Sequence, residues 1–182
     1  MDYLTHQKDL LFSTPVLRVL DFLLQHPEQE LIDVEITRRI HGVKKSAVNM
    51  ALRKLADAGL VHRHHRGRMA LNSLADTALV TTLKSVSNIM TIDPLVRSLY
   101  SLCDKIVLFG SRAEGNNDSG SDYDLFIVTV KKHKVDELIL RSEFIDMIHV
   151  IIKSPEQMLT VSEDEPVLYD QIKRGIVLWE RE

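Results

Sequence analysis

F-G-S-R-A-E-G-N-N-D-S-G-S-D-Y-D-L, residues 109–125, is the stretch on which the reading of this chain turns. An apolar run, Ile106 to Phe109, leads into a Gly-Ser pair, and a second apolar run, Leu125 to Val130, leaves from Asp124. Ten residues separate Ser111 from Asp122, and a single tyrosine separates Asp122 from Asp124. Carboxylates two positions apart at the start of a strand share one face of it, with Cα atoms roughly 6.5 Å apart. They can converge on one cation or a close metal pair. Gly110 lets the backbone approach a phosphate, and Ser111 offers a hydroxyl and an N–H at a helix start. Two or three carboxylates on adjacent strands suit Mg²⁺, which takes oxygen ligands.

The pattern around this stretch alternates. Strands fit Ile106–Phe109, Asp124–Val130 and Phe144–Ile152, with helices from about Ser111, over Val135–Leu140 and in two pieces from Pro155. The chain then runs through Gln171 to a short apolar ending at Trp179. Strand–helix alternation of this kind predicts a small mixed sheet with helices, over residues 105–182.

Gly110-Ser111, ten residues, then Asp122-Tyr123-Asp124-Leu125 resembles the signature of the DNA polymerase β-like nucleotidyltransferases, the minimal ones above all. The resemblance spans about residues 105–179. It implies transfer of a nucleoside monophosphate from a nucleoside triphosphate, ATP first among them, to an acceptor hydroxyl with Mg²⁺ or Mn²⁺. It puts phosphate binding on Gly110 and Ser111, and metal binding and catalysis on Asp122 and Asp124. The family's third carboxylate stands on the next core strand and helps activate the acceptor. In Glu143-Phe144-Ile145-Asp146-Met147-Ile148-His149 the best match is Asp146, which is therefore expected as a catalytic and metal residue. Counting back from Ser154-Pro155 puts His149 there instead. The two differ by an odd number of positions and face opposite sides of a regular strand, so only one can point at the site.

The front of the chain reads differently. Ser13-Thr14-Pro15 starts a helix with a capping hydroxyl and a proline in the first turn. Further helices fit Asp33–His41 and Lys44 or Ser46 to Ala58, each stopped by a glycine, Gly42 and Gly59. Leu60-Val61 and Met69–Leu71 read as two short strands around a loop, His62-Arg63-His64-His65-Arg66-Gly67-Arg68. Three helices and a basic hairpin, over residues 13–72, resemble the winged helix-turn-helix domain of transcription regulators. The resemblance implies double-stranded DNA as a partner, with Lys44, Lys45, Ser46 and Asn49 at the exposed start of the recognition helix. Arg53, Arg63, Arg66 and Arg68 complete the expected DNA-binding set. Between the two modules, residues 73–104 read as a helical connector, interrupted at Pro94. The fold class expected is α+β, a mainly helical front and an α/β back.

Composition sets the outer bounds. The 182 residues suit one large domain or two small ones. The net charge of -3 conceals a tilt: residues 14–70 hold ten Lys/Arg against six Asp/Glu, and residues 105–182 hold ten against fifteen. Cys103 is the sole cysteine, which excludes an intrachain disulfide framework or a cysteine zinc site and suits a reducing compartment. Met1–Lys8 lacks a signal pattern, and no run nears the roughly 18 apolar residues of a membrane span. A cytoplasmic protein without a membrane partner is expected. Two other functions fit the same residues. One is a DNA-binding regulator whose second module senses nucleotide or joins subunits without catalysis, and it is favoured if His149 stands at the site. The other is an antitoxin-type transferase that modifies a protein acceptor. A homodimer is expected only by analogy with winged-helix regulators.

Overall fold

The structure, a computed structural model, describes residues 6–181. The first five residues of the N-terminal segment in which no signal pattern was found, and Glu182 at the end of the expected second module, lie outside the described residues. The chain divides into two compact units, Met1–Ser87 and Asn88–Glu182.

The first unit begins with α1 (His6–Leu11) and α2 (Pro15–Leu24). Thr14 caps α2, its hydroxyl accepting from the Leu17 N–H at 3.3 Å. A short strand β1 (Leu31–Ile32), α3 (Asp33–Arg39) and α4 (Lys45–Asp57) follow, then the hairpin β2 (Val61–Arg66) and β3 (Met69–Leu74). The three strands pair antiparallel in the order β1-β3-β2. Val19, Leu23 and Leu24 of α2, Ile36 of α3, and Val48, Leu52 and Leu55 of α4 make the core with Val61 of β2.

Two expectations here are corrected. The segment 62–68 is not a loop: residues 61–66 form a ladder against 69–74, and only the Gly67–Arg68 turn is left over. Six residues of each strand stand in register, and an exposed antiparallel pair tolerates polar side chains. The connector is not two helices, since α5 runs unbroken from Ala78 to Leu99 with Pro94 inside it. A proline costs one helical hydrogen bond. Ile92, Leu95, Val96 and Leu99 are buried on either side of it, and that packing holds the helix together.

The second unit holds the end of α5, then β4 (Lys105–Phe109), α6 (Gly110–Glu114), β5 (Tyr123–Val128) and α7 (Lys132–Leu140). A 3-10 turn, Ile145–Met147, precedes β6 (Ile148–Lys153), and α8 (Pro155–Asp164), α9 (Pro166–Arg174) and β7 (Ile176–Glu180) close the chain. The sheet order is β6-β5-β4-β7. Strand β4 is antiparallel to β5 and to β7, and β5 is parallel to β6. The class is α+β with two small sheets, the second of them mixed.

Strands β4 and β5 are buried on both faces, which is why they read as continuous apolar runs. Tyr123, Leu125 and Ile127 face one core cluster with Ile106, Leu108 and the end of α5. Phe126 and Val128 face another with Val107, Phe109 and Ile172. Asp124 alternates onto this second face, at the rim where β4 ends and the Gly110 turn begins.

Candidate active site

Asp124 is the centre of the site. The sheet register sets it between Phe109 of β4 and His149 of β6. Gly110 follows Phe109 with φ at 70°, a left-handed conformation that favours glycine. A Cβ on Gly110 would collide with Asp124 Oδ2 and stand 3.2 Å from its Cγ. The carboxylate therefore lies against the bare glycine, a cradle that any side chain would fill. Its other oxygen, Oδ1, is 3.0 Å from His149 Nδ1. A carboxylate accepts, so Nδ1 carries the hydrogen and donates, and in the neutral ring Nε2 is then the nitrogen with the lone pair. Asp122, just ahead of β5, is exposed, Tyr123 is buried and Asp124 is half-buried. Ser111, half-buried, is the second residue of α6, immediately after Gly110.

Asp146 stands in the 3-10 turn ahead of β6, and the expected strand Phe144–Ile152 is shorter at its front. Phe144 is buried and packs edge-on against Tyr123, with ring centroids 6.5 Å apart. The chain must turn to leave that position, and Met147 N–H bonds to the Phe144 carbonyl at 2.8 Å. Asp146 is left exposed on the turn, and the ladder delivers His149 to Asp124. Among the described residues, no three or more His, Cys, Asp or Glu side chains gather to hold a metal ion. That rules out a ready-made protein cage but not a Mg²⁺ site of the usual kind. Mg²⁺ is ordinarily bound by one or two carboxylates, with substrate phosphates and water completing six ligands. Asp124 at the Gly110 turn, with Asp122 two positions earlier, meets that requirement of one or two carboxylates.

Sequence reasoning missed the residues that build the loop between the two halves of the motif. Arg112, only 5% exposed, donates from Nε to the Ser121 carbonyl at 2.8 Å and from Nη1 to Asn88 Oδ1 at 2.9 Å. Its guanidinium carbon lies 4.1 Å from the centre of the Tyr123 ring. Asn88 Nδ2 in turn donates to the Arg112 carbonyl and to Asn117 Oδ1. The only available signal was an arginine directly after the Gly-Ser pair, and nothing in the sequence shows that it is buried.

The basic hairpin also sorts into two sets. Arg63 makes a two-pronged bond to Asp33, Nη1 to Oδ1 at 2.7 Å and Nη2 to Oδ2 at 2.8 Å. Asn49 Nδ2 donates to the same Oδ2 at 2.6 Å, and Asn72 Nδ2 to Oδ1 at 3.0 Å. Burial alone would raise the Asp33 carboxyl. The bonds from Arg63, Asn72 and Asn49, with the Arg63 charge, outweigh that and bring it down to about 2. Arg63 and Asn49, expected on DNA, are thus committed inside the unit, where they tie α3, α4 and the hairpin together. Lys44, Lys45, Ser46, Arg53, Arg66 and Arg68 are exposed. None of the five cations in that group forms an ion pair among the described residues.

Comparison with known proteins bears on the second unit. Residues 98–182 match the family model for the polymerase beta nucleotidyltransferase domain, just under half of the chain. The match supports a nucleotidyltransferase domain in this stretch, and with it nucleotidyl transfer in general. Among solved structures, the chain is similar to AF1382 from Archaeoglobus fulgidus, at 21% identity and a TM-score of 0.40, over 47% of this chain and 97% of that one. No curated protein matches the chain. Among the described residues, no helix is long and apolar enough to cross a membrane.

Proposed function

We propose that the second unit binds a nucleoside triphosphate, ATP by preference, with Mg²⁺, and transfers its nucleoside monophosphate to an acceptor hydroxyl. The observation that carries this reading is the Asp124 carboxylate lying on the bare Gly110 turn, one oxygen toward the turn and the other on His149. Gly110 and Ser111 receive the triphosphate, and Asp122 and Asp124 hold the metal. A bound Mg²⁺ supplies charge neutralisation at the phosphates. His149 takes the acceptor side in place of Asp146. The acceptor oxygen bonds to the α-phosphorus, and the bond from that phosphorus to the leaving pyrophosphate breaks. The hydroxyl proton passes to His149 Nε2, while Asp124 orients the ring through Nδ1.

Mg²⁺ with ATP is expected to raise the melting temperature of the wild type, and Asp122→Ala with Asp124→Ala to abolish the rise. An equal rise in the double variant would remove the metal assignment. Transfer itself is read with ATP labelled at the α-phosphate, offered to a cell extract, and by release of pyrophosphate. A second reading is favoured by one observation, the His149 imidazole paired with Asp124 in the sheet register. There the unit senses nucleotide for a DNA-binding regulator. Binding without pyrophosphate release selects that reading.

For the first unit we propose a winged helix on double-stranded DNA. Support comes from Lys44, Lys45 and Arg53 on and beside α4, and from Arg66 and Arg68 at the hairpin tip, all exposed. Replacing Arg66 and Arg68 with alanine is expected to weaken duplex binding. The slope of log affinity against log salt should fall by about 2, since each phosphate contact contributes about 0.9. An unchanged slope would take the hairpin tip off the DNA.

A further inference from the structure

We propose that Arg112 is the positioning residue of the nucleotide site, acting through the Ser121 carbonyl to fix where Asp122 stands relative to the Gly110 turn. The inference rests on the nucleotide reading of that site. It starts from an anomaly of charge. A guanidinium at 5% exposure is costly unless paired, and among the described residues no carboxylate forms an ion pair with Arg112. Its partners are two neutral oxygens and the face of Tyr123. No net attraction between opposite charges explains its burial, so the geometry it imposes is the better account.

That geometry joins three parts of the motif. Arg112 belongs to α6, the helix that starts at Gly110. Its Nε holds the carbonyl of Ser121, the residue before Asp122. Its planar face lies over Tyr123, the residue after Asp122. Asp122 is therefore bracketed on both sides by contacts with one side chain. From the far side, Asn88 anchors the guanidinium through Oδ1, and its Nδ2 reaches the Arg112 carbonyl and Asn117. The loop from Gly115 to Ser121 has its own internal ties. Asp118 Oδ1 accepts from the Gly120 N–H and the Ser121 hydroxyl, both at 2.9 Å. Those ties shape the loop; the Asn116 N–H holds its front to the Ser111 carbonyl of α6, and Arg112 holds its far end, next to Asp122. Lysine cannot replace it, because a point charge on a flexible stem lacks both the fork and the planar face.

The test compares wild type, Arg112→Lys and Asn88→Ala on three readouts. They are melting temperature, affinity for Mn²⁺ by electron paramagnetic resonance with the α,β-methylene analogue of ATP present, and amide hydrogen exchange. Arg112→Lys is expected to weaken Mn²⁺ binding about tenfold, as loss of a residue supporting a metal ligand does. Exchange should speed up over residues 116–123 and stay unchanged in β4 and the far end of β5. Asn88→Ala should move both readouts the same way by less. A purely structural role would lower melting temperature and speed exchange across the whole unit, with binding lost only in proportion to the unfolded fraction. That outcome overturns the proposal, as does wild-type affinity in Arg112→Lys. If the wild type itself binds neither Mn²⁺ nor the analogue, the nucleotide reading fails. The exchange readout then decides alone whether Arg112 holds the Asp122 loop, unchanged exchange over 116–123 being the negative result.

Discussion

Gly110→Ala is expected to lower nucleotidyl transfer by at least about 100-fold and to weaken Mg²⁺–ATP binding with it, while the second unit stays folded. Two independent costs meet at this position. The backbone stands at φ 70°, where an L side chain is strained by about 1–2 kcal/mol. The added methyl would also overlap Asp124 Oδ2 and come within 3.2 Å of Cγ. Strain alone would be tolerated, for one or two kcal/mol is within what a domain can lose. The overlap cannot be relieved without moving the carboxylate off the turn or opening the turn itself. Either shift approaches the ångström-scale misplacement that costs such a site about two orders of magnitude. Gly67→Ala makes a matched control. Its φ is 62°, but a Cβ there meets nothing within 4 Å, so it carries the strain without the collision. It should leave nucleotide binding unaltered. Full binding and transfer in Gly110→Ala would mean that phosphate does not approach this turn.

The place of Asp124 at the edge of the Gly110 turn was legible from the two apolar runs that flank the motif. The apolar run after Asp124 marks β5, which holds Asp124 beside Phe109, and the Gly-Ser turn before it is marked by residue type. The same holds for α2, where Thr14 and Pro15 announce the cap and first turn that the structure contains. Which of Asp146 and His149 neighbours Asp124 was not legible, for a reason of register. Asp146 and His149 both lie in a stretch that reads as strand, and the choice depends on where the ladder starts. A buried Phe144 against Tyr123 sets that start, a tertiary contact between residues far apart in sequence. Pro94 misled in the opposite sense, because burial of Ile92, Leu95, Val96 and Leu99 outweighs the missing hydrogen bond. In the hairpin, charge was visible and its use was not. Arg63 and Arg66 are the same residue type three positions apart. One is bound to a carboxylate thirty residues earlier, and the other is exposed to solvent.

That difference carries the second large effect. Arg63→Ala is expected to destabilise the first unit by about 3 kcal/mol, because it leaves the Asp33 carboxylate largely buried without its cation. The side chains of Arg63 and Asp33 are 12% and 16% exposed, so solvent screens the pair little. Native-state hydrogen exchange of the α4 amides reads the loss directly, and Arg63→Ala with Asp33→Ala together should recover part of it. Acid gives an independent readout. The Asp33 carboxyl is held at about 2 in the folded unit against an ordinary 3.8. A depressed folded value means stability that is present above about pH 4 and is lost as pH falls toward 2. The size is about 2 kcal/mol. Asp33→Asn should flatten that part of the pH profile while losing stability at neutral pH. The result also bears on DNA. A residue that touches only DNA can be removed without disturbing the fold, so an Arg63→Ala unit of undiminished stability with weakened duplex binding would return Arg63 to the interface. Loss of stability, with DNA binding lost only as the unit unfolds, leaves the contact to Lys44, Lys45, Arg53, Arg66 and Arg68. Arg63 then sets the angle between the hairpin and α4 from within.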